Sequence, residues 1–234
     1  MPPRLPTPRD FPSHLQVSIV PPPKTHPPTN VLLLLHGLGD TAEGFVTFSR
    51  NLSLPETTCI SLQAPTPLPF DLGGFHWGDD VLFDDATGQM EYDTGFTRTS
   101  KIVEEILNEI LIKKCGYPSR NLILFGFGQG GMAALAAVAD CERRNLEPGG
   151  VISIGGPLPA SPATLVLGGS SNTLVTSTTL AKIKECFDSV EYVKWTKSGD
   201  SMPRSREEML PIMRFFARRL LSVRGVPPGS IPLS

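Results

Sequence analysis

The stretch NLILFGFGQGGMAALAAVA, residues 121–139, decides the fold of this chain. Its first five residues form a largely apolar run that predicts a buried strand, and its alanine-rich second half predicts a helix lying close to the sheet. Between them, Gly126, Gly128 and Gly130 alternate through a tight turn. A strand, a glycine-rich turn and a helix in this order are typical of a strained elbow that projects its middle residue above the sheet. The middle residue here is Gly128, and the turn contains no serine.

Strand-like and helix-like patterns alternate on both sides of this unit. The segments that predict strands are residues 15–20, 31–35, 58–62, 121–125, 151–154, 164–167 and 190–195. Most are short continuous apolar runs, as expected for a sheet covered on both faces. Helical spacing over 102–111 predicts a helix ended by Gly116, and a capping box at 205–208 predicts a last helix that Pro211 should kink. The alternation predicts an α/β protein with a doubly wound, mostly parallel sheet and helices on both faces.

Composition divides the chain into three parts. Ten of the 24 prolines fall in the first 28 residues, so residues 1–13 are predicted to be a mobile or extended arm. Residues 14–222 are predicted to form one α/β domain, and residues 223–234 a flexible C-terminal tail. Within the domain, residues 65–95 are rich in Pro, Gly and Asp, which predicts a long excursion outside the sheet.

The composition also excludes several classes of protein. A formal net charge of −2 over 234 residues lacks the excess of positive charge that is typical of proteins that bind nucleic acid or an anionic membrane surface. The longest aliphatic run, residues 31–35, is far shorter than the roughly 20 residues that span a bilayer. Four cysteines lie far apart and match no zinc spacing. We therefore expect free thiols, no metal, no cofactor, no membrane span and a cytoplasmic or nucleocytoplasmic location.

Three motifs in order carry a family resemblance. They are HGLGD at 36–40, PTPLPFDLGGFHW at 65–77 and GFGQGG at 126–131. Together they resemble the phospholipase/carboxylesterase family of α/β hydrolases, which includes the acyl-protein thioesterases, and the likeness extends over about residues 30 to 222. The resemblance implies an α/β-hydrolase fold for the domain at 14–222. It also implies a serine (thio)ester hydrolase site with a Ser, Asp, His triad.

The triad positions depart from the family pattern. The resemblance places the nucleophile on Gly128, the acid on Asn172 and the base on Asp200. The backbone N–H groups of Leu38 and Gln129 would be the oxyanion-hole donors. No histidine follows His76, so a histidine base after the last strands is not available. The sequence is therefore compatible with an enzyme and with a non-catalytic member of the family.

Three further residues are expected near the site. The resemblance implies that His36, which opens HGLGD, fixes its loop and is not a base. His76 and Trp77 belong to the 70–92 loop, which is predicted to be a lid or a docking surface for a protein partner, or else a solvated loop. The acidic residues of this loop are Asp79, Asp80, Asp84 and Asp85. Their spacing matches no metal signature, so no metal site is predicted.

Three functions remain open from the sequence. The first is a non-catalytic family member, a pseudoenzyme, that binds an acyl or small-anion ligand or a protein partner. The second is a residual carboxylic-ester or thioester hydrolase of the acyl-protein thioesterase or lysophospholipase type. The third is a nucleotide or anion binder that uses Gly126–Gly131, which also satisfies G-x-G-x-x-G. That fingerprint needs an acidic residue after the next strand, and the strand VISI ends in Gly155 and Gly156 instead.

Overall fold

The structure, a computed structural model, describes residues 2–69, 72–83, 90–91, 95–142, 146–156, 164–186 and 190–220. Asp84, Asp85 and the predicted tail at 223–234 lie outside the described residues.

The centre of the fold is a mostly parallel sheet. Its strands are β1 (Val17–Val20), β2 (Asn30–Leu35), β3 (Thr57–Leu62), β8 (Leu122–Phe127), β9 (Gly150–Ile154), β10 (Thr164–Gly168) and β11 (Val190–Lys194). They are ordered β1-β3-β2-β8-β9-β10-β11. Strand β1 pairs antiparallel with β3, and the other neighbours pair in parallel. The predicted doubly wound sheet is confirmed. Each predicted strand begins and ends within two residues of the bounds of an observed strand.

Residues 65–95 contribute two small ribbons outside this sheet, as predicted. Strands β4 (Thr66–Pro67) and β5 (Phe75–His76) pair antiparallel, and so do β6 (Leu82–Phe83) and β7 (Met90–Glu91). The backbone of Phe75 also forms a bridge with Asp40, in the loop after β2. This bridge attaches the β4–β5 ribbon to the C-terminal edge of the sheet.

Helices cover both faces of the sheet. They are α1 (Ala42–Leu52), α2 (Thr97–Glu105), α3 (Gln129–Glu142), α4 (Ser177–Cys186) and α5 (Arg206–Arg219). Because side chains alternate along a strand, β2 supplies both cores. Its Leu33 packs in one cluster with residues of α2 and α3, and its Leu34 packs in the other with residues of α1 and α5.

Two helices show how local sequence sets their ends. Helix α2 continues directly as a π-helical segment (Ile106–Lys114), which is followed by Cys115 and then by Gly116 with φ of +80°. The predicted helix at 102–111 therefore begins earlier and changes its hydrogen-bond pattern halfway. At the start of α5 the Ser205 side chain accepts a hydrogen bond from the Glu208 N–H at 3.2 Å, which confirms the predicted cap.

The N-terminal segment is packed against the domain. The Arg4 N–H donates to the Cys115 carbonyl at 2.9 Å, and the Arg4 guanidinium pairs with Asp10 at 2.6 Å. The hydrogen bond from Arg4 is the main reason that the pKa of Asp10 lies far below its usual range. Phe11 is buried in the same core cluster as Leu33. The described part of residues 1–13, predicted to be a mobile or extended arm, thus contacts the domain through Arg4 and Phe11.

Candidate functional site

The elbow after β8 has the strained geometry that the sequence predicts. Gly128 adopts φ of +52°, a left-handed conformation that favours glycine. Its N–H donates to the Ile154 carbonyl at the end of β9, and its carbonyl accepts from the Met132 N–H at 3.1 Å. Gly128 is thus the residue at which the strand ends and α3 begins, with Gln129 as the first residue of the helix.

The glycines of the elbow have different steric roles. A Cβ on Gly126 would collide with the Gly130 carbonyl, and a Cβ on Gly130 would collide with the carbonyls of Leu35 and His36. These two positions need glycine because backbone lies directly against them. A Cβ built on Gly128, in contrast, meets no described atom within 4 Å. The elbow therefore presents its middle residue to open space, with no side chain attached.

The HGLGD loop lies beside the elbow. A Cβ on Gly37 would lie 3.0 Å from the Phe127 side chain, next to Gly128. Leu38 follows Gly37 in this loop and is half-buried. The structure thus brings the two predicted backbone donors, on Leu38 and Gln129, to the same edge of the sheet, at the ends of the neighbouring strands β2 and β8.

His36 is a structural residue in this geometry. It is fully buried, and its Nε2 accepts from the Ala64 N–H at 3.0 Å and lies 2.7 Å from the Gln63 side-chain nitrogen. Since Nε2 accepts, Nδ1 carries the proton and donates to the Gly37 carbonyl at 2.7 Å. Burial lowers the pKa of His36 and keeps the ring neutral. With both nitrogens engaged, His36 holds the loop, as the resemblance implies.

Trp77 ties the 65–77 segment to the elbow. Its backbone N–H donates to the Gln129 side-chain oxygen at 2.8 Å, and its indole N–H donates to the His36 carbonyl at 2.6 Å. Trp77 is fully buried and His76 is 2% exposed. Both residues, predicted as pocket or lid residues, are buried in the structure. Residues 70–71, 84–89 and 92 of the 70–92 loop are outside the described residues, so a role of the loop as lid or docking surface stays a prediction.

The predicted acid and base positions lie on two loops that contact each other. The Asp200 carboxylate accepts hydrogen bonds from the Gly169 N–H at 2.9 Å, the Thr173 hydroxyl at 2.6 Å and the Leu174 N–H at 2.8 Å. All three donors belong to the loop that follows β10. Asp200 therefore fastens this loop to the one after β11. A Cβ on Gly155 would lie 2.6 Å from the Asp200 Cβ, which places Asp200 at the end of β9, near the elbow.

Asn172 lies at the tip of the loop after β10. It is exposed and adopts φ of +49°, a conformation that asparagine tolerates better than most residues. Its side-chain nitrogen lies 3.4 Å from the Ser198 hydroxyl, and the neighbouring Ser171 carbonyl accepts from the Gly199 N–H at 2.7 Å. The structure thus brings Asn172 to the loop that carries Asp200, although the two side chains contact different partners.

Several residues of the site carry no local sequence signal. Gln63 links His36 to α1, because its side-chain oxygen accepts from the Ala42 N–H at 3.0 Å. Thr173 links the loop after β10 to Asp200. These partners are 21 and 27 positions apart, so neither spacing nor periodicity could have indicated them. Only the meeting of loops at one edge of the sheet creates these contacts.

The strand order, the parallel register and the elbow at the end of β8 are those of the α/β-hydrolase fold. The sequence model of the phospholipase/carboxylesterase family matches residues 16–197, and the chain belongs to this family. The expected recognition from the three motifs is therefore confirmed.

Individual relatives agree with this family. An uncharacterised hydrolase of Schizosaccharomyces pombe is 36% identical over 136 residues, which are 56% of this chain and 55% of that protein. Acyl-protein thioesterase 1 homolog 2 of Dictyostelium discoideum is 33% identical over 114 residues, or 46% of this chain and 50% of the relative. The chain thus matches about half the length of these curated relatives.

Solved structures share the fold over most of the chain. The esterase PE8 superposes with a TM-score of 0.69 at 20% identity, covering 88% of this chain and 99% of that one. Acyl-protein thioesterase 2 of Zea mays superposes with a TM-score of 0.62 at 19% identity, covering 87% and 98%. At this identity the likeness concerns the fold.

Membrane-spanning helices and metal-binding clusters are both absent from the described residues. Each helix in this part of the chain is too short or too polar to traverse a bilayer. Over the same residues, no group of three His, Cys, Asp or Glu side chains is arranged to hold a metal ion.

Proposed function

We propose that this family member is non-catalytic and holds an acyl or small-anion ligand at the elbow. The observation that carries the proposal is Gly128, whose left-handed backbone keeps the shape of a nucleophile elbow while its Cβ direction faces open space. Acyl transfer of the serine type needs a hydroxyl at this point. Glycine has none, so the turn offers room for a ligand where the reacting side chain would stand.

The surroundings of Asp200 support the loss of acid–base chemistry. A triad base must reach the nucleophile and take its proton. The Asp200 carboxylate instead accepts three hydrogen bonds from the loop after β10. With those bonds made, the carboxylate serves to hold two loops together. The four histidines of the chain are His14, His26, His36 and His76, so no histidine lies in the C-terminal part.

Electrostatics favour an anionic oxygen at the elbow. Helix α3 begins at Gln129, and the N-terminus of a helix carries a partial positive charge that attracts anions. The HGLGD loop approaches the same point with the backbone of Leu38. A ligand carboxylate at the elbow would contact the N-terminus of α3 and the HGLGD loop, while its alkyl chain extends away from the elbow. A fatty acid or another acyl compound has this form.

Ligand binding and catalysis are tested together on the purified protein. We expect no labelling by a fluorophosphonate, no turnover of short acyl esters above a heat-killed control, and a concentration-dependent rise in Tm with octanoate. Gly128→Leu should abolish the octanoate effect by filling the space at the elbow. Gly73→Leu is the matched control, because Gly73 also has positive φ and open space around its Cβ direction but lies at the β4–β5 ribbon.

The outcomes separate the three candidate functions. Stoichiometric labelling of a serine, or turnover that Gly128→Leu removes, would contradict the proposal and favour a residual hydrolase. A Tm rise with nucleotides and none with octanoate would favour the nucleotide binder. Equal octanoate effects in the Gly128→Leu and Gly73→Leu variants would place the ligand elsewhere.

A further inference from the structure

A cavity of about 360 Å³ lies beside the β4–β5 ribbon. We name it the His76 cavity. Its lining residues are Thr66, Pro67, Pro69, His76, Asp79, Asp80, Val81 and Arg98. It shares no lining residue with the elbow described above.

Two polar atoms at the floor of the His76 cavity have no partner. His76 is 2% exposed, and its Nδ1 makes no hydrogen bond. The buried Thr66 hydroxyl is also without a partner. Thr66 and His76 are directly opposite each other in the ribbon, so their side chains project from the same face. Leaving such atoms unsatisfied destabilises a fold by about 1–3 kcal/mol each, so a group that pairs with both would be bound favourably here.

The charge of the cavity favours a cation. Its rim carries two carboxylates, Asp79 and Asp80, and one guanidinium, Arg98. Burial alone would raise the pKa of Asp79, but hydrogen bonds from the Arg98 and Thr97 N–H groups outweigh it and lower that pKa, so Asp79 is ionised and caps α2. The described lining residues therefore carry a formal net charge of −1, which opposes an anion.

The floor supplies acceptors for the same cation. Burial, and after it the positive charge of Arg98, lower the pKa of His76, against smaller opposing effects of the Asp80 charge and of a hydrogen bond to the Gly78 backbone. The lowered pKa favours the neutral ring, in which the unpartnered Nδ1 can accept a hydrogen bond if Nε2 carries the proton. The Thr66 hydroxyl can also accept. The apolar walls are Pro67, Pro69 and Val81.

We infer that the His76 cavity binds a primary ammonium group carried on a short aliphatic chain. An ammonium has three N–H donors, and the cavity offers three kinds of acceptor: the His76 Nδ1, the Thr66 hydroxyl and the Asp80 carboxylate. The methylene groups pack against the prolines and Val81. A lysine side chain and a free alkylamine share this chemistry.

The test is an NMR titration of the full chain with n-butylammonium chloride, followed on the histidine ring nitrogens. With four histidines in the chain, the ring signals can be assigned by substitution. We expect a saturable shift of the His76 nitrogens and no comparable shift for His14 or His26. Butyrate and n-butanol at the same concentration should produce no such shift. Absence of a saturable His76 shift, or a stronger one with butyrate, would overturn the inference.

Two variants identify the acceptors. Thr66→Val should weaken butylammonium binding about threefold to tenfold, the range for one neutral hydrogen bond. It should also leave the Tm unchanged or higher, because the buried unpartnered hydroxyl is gone, so lost binding would not reflect unfolding. Asp80→Asn should weaken binding about tenfold or more through loss of the charge. Glu105→Gln, an exposed carboxylate on α2 outside the cavity, is the control with the same change in charge. Unchanged affinity in both cavity variants would refute the site.

Two comparisons complete the design. If a blocked lysine, Nα-acetyl-lysine methylamide, binds more tightly than butylammonium, the natural ligand is a protein lysine; if it binds less tightly, the ligand is a small amine. Gly128→Leu should leave butylammonium binding unchanged. A lack of octanoate binding at the elbow can therefore be distinguished from a lack of butylammonium binding at the His76 cavity.

Discussion

Replacement of Asp200 by alanine should destabilise the protein strongly. The three hydrogen bonds that its carboxylate accepts measure 2.6 to 2.9 Å and hold the loop after β10. Bonds to a charged group contribute about 1.5–3 kcal/mol each. Asp200 is half-buried, and solvent can replace part of each bond, so we expect a total loss of about 2–4 kcal/mol in the free energy of unfolding.

The assay is urea unfolding followed by fluorescence, together with the Tm. For a domain of this size, 1 kcal/mol lowers the Tm by about 2–4 °C, so Asp200→Ala should lower it by about 4–16 °C. Asp200→Asn keeps one acceptor oxygen and should lose less. Glu105→Ala, an exposed residue on α2, should change the stability by no more than about 0.5 kcal/mol. A loss below about 1 kcal/mol for Asp200→Ala would show that Asp200 does not hold the two loops together.

Three more outcomes follow from the geometry. Gly74→Ala should destabilise the protein by more than about 2 kcal/mol, because Gly74 has φ of +74° and its Cβ would collide with the Gly39 backbone. Gly73 has the same φ but open space around its Cβ direction, so Gly73→Ala is the control. The difference between the two variants in urea unfolding is the cost of the collision. The free energy of unfolding should fall as the pH drops below 6.5, because burial lowers the pKa of His36 from that value. In this range the unfolded chain binds a proton at His36 that the folded chain does not bind. His36→Gln should therefore flatten this part of the pH–stability curve. Gly128→Ser alone should not hydrolyse a short thioester, whereas a variant with serine, aspartate and histidine at all three family positions should recover a low rate; equal rates would mean that the acid and base positions are misplaced.

Two features explain why a single reversion should fail: Gly128 at the elbow, and the hydrogen bonds by which Asp200 holds the loop after β10. A histidine at position 200 would remove the acceptor of the Gly169, Thr173 and Leu174 bonds. The triple variant should therefore be less stable than the parent even where it gains activity. Measuring its Tm beside its rate separates these two effects.

The amino-acid sequence by itself determined the fold class, the strand positions and the family. Residues 121–139 predict a strand, a glycine elbow and a helix, and the structure has β8, Gly128 and α3 there. Such features are readable because the period of apolar residues, glycine at a crowded turn and a capping serine at 205 all act within a few positions of the chain.

The tertiary structure alone decided which side chains meet. The carboxylate of Asp200 binds a loop some 26 to 31 positions away, and Trp77 binds Gln129 across 52 positions. The pair of Thr66 and His76 becomes a cavity floor only when the ribbon forms. Each of these contacts depends on loops that the parallel strands carry to the same edge of the sheet. Local periodicity contains no information about such an encounter, because the hydrogen-bond geometry is set by the positions of whole strands and helices.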